Sequence, residues 1–165
     1  MAKVKKLRCV LCGREFDPKS DVFTCPDCGP DGTLDVLYDY DDVRQKFTPE
    51  ALAKNKERSI SRYIELLPLS DPAFFPNLKV GCSPLYESTY WAKKQGGKQV
   101  LIKDDGRNPT ASFKDRASFI GVAKAKEKGA TSIACASTGN AASSLAGCAA
   151  VAGLDCYIFV PEKAP

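Results

Sequence analysis

Four cysteines in two close pairs most constrain what the first part of this chain can fold into. Cys9-Val-Leu-Cys12-Gly13 and Cys25-Pro-Asp-Cys28-Gly29 are Cys-x-x-Cys pairs separated by twelve residues. Each pair can curl into a turn in which both sulfurs face one point. The Gly after each second Cys lets the backbone turn while its N–H groups approach the thiolates. Two such turns make a tetrahedral set of four sulfurs, which suits Zn²⁺ with Zn–S near ~2.3 Å. The spacing therefore predicts a zinc ribbon over residues 1–36, with Cys9, Cys12, Cys25 and Cys28 as ligands. Iron in a rubredoxin-like site would use the same sulfurs, and disulfides or free thiols remain open. Four protein ligands leave no position for water, so the metal is expected to shape the fold and not to catalyse. A segment of about 30 residues buries too little surface to fold without such a staple.

Histidine is absent, so any metal site uses thiolates or carboxylates, and any general base is Lys, Asp, Glu, Tyr or Cys. The hydrophobic fraction of 44% supports a packed core, and the net charge of +4 does not by itself imply nucleic acid. No apolar run is long enough for a membrane-spanning helix. The basic stretch Met1–Arg8 lacks the apolar run of a secretory signal, so a cytoplasmic location is expected. In that compartment cysteines bind metal or are simply buried. Cys82, Cys135, Cys148 and Cys156 sit singly among apolar or small residues and read as small buried hydrophobes, with Cys82 in a loop.

Residues 37–78 are polar and helix-prone. Pro49–Leu67 places Ala51, Leu52, Ile60, Ile64 and Leu67 at loosely helical spacing before stopping at Pro68. Residues 79–165 alternate strands and helices. Gln99–Lys103 and Thr131–Ala136 are strand patterns, as is Cys156–Val160, closed by Pro161. A helix capped by Ser112 carries Phe113, Ala117, Ile120 and Ala123 or Lys124 and ends at Gly129; another, Asn140–Ala152, ends at Gly153. Strand–helix alternation with short loops predicts right-handed crossovers and a parallel sheet, an α/β fold. So few parallel strands leave edges and a face uncovered, so the chain is expected to be the front part of a longer protein.

Two segments carry chemistry. Lys114 falls in the first turn of the helix that Ser112 opens. A cation there faces the positive end of the helix dipole, and partial burial beside Phe113 also favours the free amine, which condenses with aldehydes. The blander reading is a solvated lysine beside Asp115. Ser137-Thr138-Gly139-Asn140 leaves a strand and opens a small-residue helix. Its N–H groups, hydroxyls and dipole suit an anion such as a carboxylate, while the Asn140 amide can reach a phenolic oxygen. An ordinary capped turn is the blander alternative.

Together GCSPL at 81–85, KDDGRNPTASFKDR at 103–116 and STGNAASSLAGCAAVAG at 137–153 resemble, in order, the opening motifs of the threonine synthase family. SRYIELLPL at 61–69 is similar to the helix before the first motif, and a subset of the family has a two-pair cysteine ribbon. The resemblance covers nearly the whole chain. It implies a zinc ribbon followed by the first, incomplete part of a fold-type II pyridoxal 5′-phosphate (PLP) enzyme, a three-layer α/β domain. Lys114 would hold the cofactor and move protons at the substrate's Cα and Cβ. Phe113 would position the cofactor, and Asn140 would bond its 3′-oxygen. Ser137, Thr138, Asn140 and Ala141 would bind substrate. The implied reaction turns O-phosphohomoserine and water into threonine and phosphate, in a homodimer. The usual Gly in the lysine motif is Ala111 here, a small change, and Ser83 stands for a Thr. The family's glycine-rich phosphate loop and the hydroxyl residue at the pyridine nitrogen have no counterpart here. The chain alone is therefore expected to bind PLP poorly and not to turn over. Cysteate synthase and serine/threonine dehydratases share the fold. A zinc-ribbon module using Lys3–Arg8 against nucleic acid or protein is the alternative of another class, although no evident ribbon face clusters basic and aromatic residues.

Overall fold

A computed structural model describes residues 4–163 of the chain. The chain divides into two compact units. One runs up to Lys56 and includes Arg62–Asp71; the other takes Glu57–Ser61 and the chain from Pro72 onward. No helix among the described residues is long and apolar enough to cross a membrane.

The first unit is built on an antiparallel sheet of β1 (Val4–Cys9), β2 (Glu15–Phe16) and β3 (Leu34–Tyr38), in the order β2-β1-β3. Register is set at the cysteine turns, where Arg8 pairs with Glu15 and Cys9 with Leu34. Strand β3 crosses the expected boundary at residue 36. Of the basic stretch Lys3–Arg8, Lys3 lies outside the described residues and the remainder is strand β1.

Two short helices follow, α1 (Tyr40–Lys46) and α2 (Pro49–Lys54). The Asp39 carboxylate accepts the Asp42 N–H at 3.3 Å, and the Thr48 hydroxyl accepts the Ala51 N–H at 3.2 Å. Each satisfies an N–H that the first helical turn cannot bond, and Pro49 loses nothing at a position with no partner. The single helical run read over Pro49–Leu67 is not formed. Helix α2 stops at Lys54, and only irregular 3₁₀ turns appear from Ile60 to Leu66. Two captures explain the break. Arg62 donates to the carbonyls of Leu52 and Asn55, which close α2. The Ile60 N–H bonds Val80 O at 2.7 Å and is lost to a helical ladder.

In the second unit, β4 (Leu85–Glu87) pairs antiparallel with β5 (Leu101–Lys103), and α3 (Thr89–Lys94) lies between them in sequence. The expectation that 99–103 joins a parallel sheet is corrected here. The chain reverses after α3, and the Ser88 N–H meets Val100 O at 2.9 Å, so β5 finds its ladder on its sequence neighbour. Helix α4 (Asp115–Glu127) leads to β6 (Ser132–Ala136), α5 (Asn140–Ala152) and β7 (Asp155–Phe159), with β6 and β7 parallel and in direct register. Helix α4 begins later than the Ser112 cap implied. The Ser112 hydroxyl accepts the Lys114 N–H at 3.1 Å within a turn, and the first helical residue is Asp115.

The core of this unit is Val80, Phe119, Val122, Cys148 and Ala149. Phe75 stacks on Phe119 with centroids 4.8 Å apart. Strands β6 and β7 turn Ile133, Cys135, Cys156 and Ile158 inward and leave Tyr157 and Phe159 exposed, as period-2 alternation requires of a sheet covered on one face. Full burial of a side chain such as Phe119 stabilises by about 2–3 kcal/mol. Cys148 is buried as expected, and Cys135 and Cys156 are half-buried. Cys82 is not a buried hydrophobe: it is exposed, with φ 48° in a loop.

Candidate functional site

Sulfur geometry defines the first site. The Sγ atoms of Cys9, Cys12, Cys25 and Cys28 lie within 4.8 Å of one another, and Cys12 and Cys25 are 3.7 Å apart. The edge of a sulfur tetrahedron with ~2.3 Å bonds is about 3.8 Å, so the donor set fits a tetrahedral metal. A disulfide would need about 2.05 Å, and all four thiols are free. The two turns repeat one another. Gly13 N–H bonds Cys9 O at 3.0 Å and Gly29 N–H bonds Cys25 O at 2.9 Å, with both glycines at positive φ, 75° and 65°. An L-residue there would meet its own carbonyl, so glycine is required by the backbone. The Cys12 N–H holds the Cys9 thiol down to about 7, while the crowding sulfurs, Cys12 first, push Cys28 up to about 12. Four thiolates packed this closely repel one another, and a bound divalent ion would offset that repulsion.

The second site surrounds Lys114, which occupies the N-cap position of α4 and is half-buried. Its Nζ lies 4.4 Å from the centroid of the Phe113 ring, and that ring is 58% exposed. No carboxylate pairs with Lys114 among the described residues, because the nearby acids are engaged elsewhere. Asp115 is fully buried and accepts the Thr110 N–H at 2.7 Å as well as the Thr110 hydroxyl. Asp105 accepts from Arg116 Nε at 2.9 Å and Nη2 at 2.7 Å, and from the Ser83 hydroxyl. Those partners hold its carboxyl far below the usual carboxylate range, Arg116 most of all. The reading of Lys114 as a lysine stabilised by Asp115 therefore fails.

Ser137, Thr138, Gly139 and Asn140 join β6 to α5. Ser137 Oγ accepts the Gly139 N–H at 3.3 Å, and no side chain caps the helix itself. The Ala142 N–H turns back to Gly139 O at 2.9 Å, while Asn140 and Ala141 open the 13-residue helix without a side-chain cap, at the positive end of its dipole. The Asn140 side chain is exposed, and Ala141 is half-buried. Helix α5 packs on α4, Cys148 and Ala149 meeting Phe119 and Val122 in the core, and a Cβ at Gly147 would come within 2.8 Å of Thr110 Cγ2 in the turn before α4. Lys114 and Asn140 thus stand at the starts of two neighbouring helices, with Asn140 about 10 Å upstream of Gly147 at 1.5 Å rise per residue.

Sequence reasoning passed over Ser83, Asp105, Asn108, Thr110, Asp115 and Arg116 as working residues. All stood inside the quoted motifs. Their only signal was polarity in segments that bury much of it: Ser83, Asn108 and Asp115 are buried, and Asp105, Thr110 and Arg116 are half-buried.

Residues 77–165, over half of the chain, match the family model described as pyridoxal-phosphate dependent enzyme. The threonine synthase of Methanocaldococcus jannaschii is 40% identical over 155 residues, covering 94% of this chain and 37% of that protein. The threonine synthase of Methanosarcina acetivorans is 40% identical over 156 residues, covering 94% and 36%. That of Halalkalibacterium halodurans is 42% identical over 103 residues, covering 62% and 29%. The chain thus spans a little over a third of the length of the first two relatives.

Proposed function

Because this chain belongs to the pyridoxal-phosphate dependent enzyme family, we propose that it is the cofactor-lysine portion of a threonine synthase, acting on O-phosphohomoserine and water to give threonine and phosphate. The observation that carries the reading is the Lys114 amine. It has no carboxylate partner among the described residues and lies at the start of α4, inside the matched segment of a chain 40% identical over 94% of its length to a threonine synthase. An amine free of an ion pair is available to condense with an aldehyde. When bound, PLP supplies the electron sink that lets phosphate leave from Cγ and water add at Cβ. Lys114 moves the protons at Cα and Cβ. Phe113, exposed beside it, would orient the cofactor, and the Asn140 amide would help hold it by donating to its phenolic oxygen. Ser137, Thr138, Asn140 and Ala141 receive the substrate carboxylate at the uncapped start of α5. The cysteine quartet holds structural Zn²⁺. The protein works as a cytoplasmic homodimer on a small-molecule substrate, without a nucleic-acid partner.

Borohydride reduction of the full-length holoenzyme, followed by peptide mapping, tests the lysine. A pyridoxyl adduct at Lys114 is the expected result, and an adduct at another lysine sinks the assignment. Phosphate release from O-phosphohomoserine, compared with elimination from serine, tests the substrate; serine elimination alone would move the protein to the dehydratases.

A further inference from the structure

Arg116 is an oddly placed cation. It occupies the first turn of α4, where the helix dipole disfavours positive charge, and it is two residues from Lys114. Its guanidinium nonetheless takes part in a closed network. Nε and Nη2 grip the two oxygens of Asp105 at 2.9 and 2.7 Å, and Nη2 also lies 3.3 Å from Ser83 Oγ, which itself donates to Asp105. Lys103 Nζ reaches Ser83 O at 2.7 Å. Asn108 extends the network, donating to Asp105 O at 2.9 Å and accepting the Gly81 N–H at 2.9 Å. Arg116 Nη1 would lie 3.2 Å from a Cβ at Gly81, so the guanidinium also seals that turn. Three separate segments are locked together: 81–83, 103–108 and the first turn of α4.

We propose that Arg116, held by Asp105 and Ser83, is a positioning residue that fixes the start of α4 and so aims the Lys114 amine; the proposal rests on Lys114 being the cofactor lysine. The physical case is rigidity and charge allocation. A planar fork on a carboxylate sets orientation as well as distance, which a lysine at 116 would not do. The same pairing holds Asp105 on the guanidinium and the Ser83 hydroxyl, so its carboxylate is committed within the network.

The test uses the full-length apoenzyme of parent, Arg116→Lys, Asp105→Asn and Ser83→Ala. Each is mixed with PLP, quenched with borohydride at intervals and mapped, with labelling at exposed Lys98 as internal reference. Amide exchange is followed in parallel. Arg116→Lys and Asp105→Asn are expected to lower the Lys114-to-Lys98 labelling ratio at least about tenfold, the scale of one charge-assisted hydrogen bond. Ser83→Ala should have a smaller effect. Exchange should quicken at 81–83 and in the first turn of α4 while the rest of α4 stays protected. A ratio within about twofold of parent in both charged variants overturns the proposal. So does loss of protection along the whole of α4, which would make the pair a folding bond. If the parent labels a different lysine, the cofactor-lysine reading fails instead, a result separable from either.

Discussion

The cysteine unit and the lysine unit hold themselves together by different means. In the first, the side chains with essentially no exposure are Cys9 and Cys25, two of the four proposed ligands, with Val43 and Leu69 the other buried apolar residues among those described. In the second the apolar core is Phe119, Val80, Val122, Cys148 and Ala149, none of which belongs to the site, although the site's Asp115 is as fully buried as they are. The first unit has thus merged core and site: its chemistry is its packing. The second separates them, with an apolar core beneath and functional groups at helix starts above a polar network. With the proposed ion bound, a merged unit would depend on that one ion, whereas a separated one can lose a site residue and keep its fold.

Metal removal gives the largest expected break in that comparison. Structural zinc contributes apparent binding energies of about 10–16 kcal/mol at neutral pH. Strong chelator, or Cys25→Ser, should abolish amide protection in β1–β3 while α4 and α5 keep theirs, as read by hydrogen exchange. Simultaneous loss in both units would show that they share one core.

Phe119→Ala attacks the other unit. It should cost about 3–5 kcal/mol in denaturant unfolding of α4 and α5, with zinc content unchanged by atomic absorption.

Acid sharpens the contrast more finely. Asp105 has its folded-state acidity strengthened by Arg116, so its pairing stabilises above the unfolded value near ~3.9 and is lost as pH falls below that, through the depressed folded value. The second unit should lose roughly 1.5–3 kcal/mol on that account, and Asp105→Asn should flatten the acid limb of its unfolding curve. The first unit responds to acid by another route, since protons compete with metal for the thiolates. Its zinc loss on a pH titration should be the same in Asp105→Asn as in parent.

Ala111→Gly is the smallest change and goes the other way. Ala111 stands at φ 57° in the turn before Lys114. A non-glycine residue in that region costs about 1–2 kcal/mol, partly offset by the extra unfolded-state freedom of glycine. The variant should melt higher by roughly 0.5–1 kcal/mol, without effect on β1–β3. The motif reading treated this alanine as a minor change; the backbone makes it a source of strain.

How much of this was legible depends on the range of the interaction involved. The four-sulfur cluster was legible because two residues between cysteines bring sulfurs together within a single turn. Helix α5 was legible at both ends, Asn140 and Ala152, because a strand-to-helix turn and Gly153 mark it locally. Candidate residues Lys114 and Ser137–Asn140 were found the same way, by position relative to a helix start. Less was legible where the chain folds back on itself. Pro49–Leu67 looks helical until Arg62 and Val80 capture its backbone, and Gln99–Lys103 looks like a parallel strand until β4 pairs with it.

The amino-acid order alone therefore settled the clustering of the four cysteines, the α5 helix and the placement of Lys114 near a helix start, since capping and turn rules act over three or four residues. Only tertiary structure decided that Asp115 belongs to Thr110 and that Asp105 belongs to Arg116. It alone brought Ser83 and Arg116, 33 residues apart, into one network. Ion pairs and buried polar bonds leave no periodic mark in a sequence, because their partners are chosen by how the chain reverses and not by how far along it they lie.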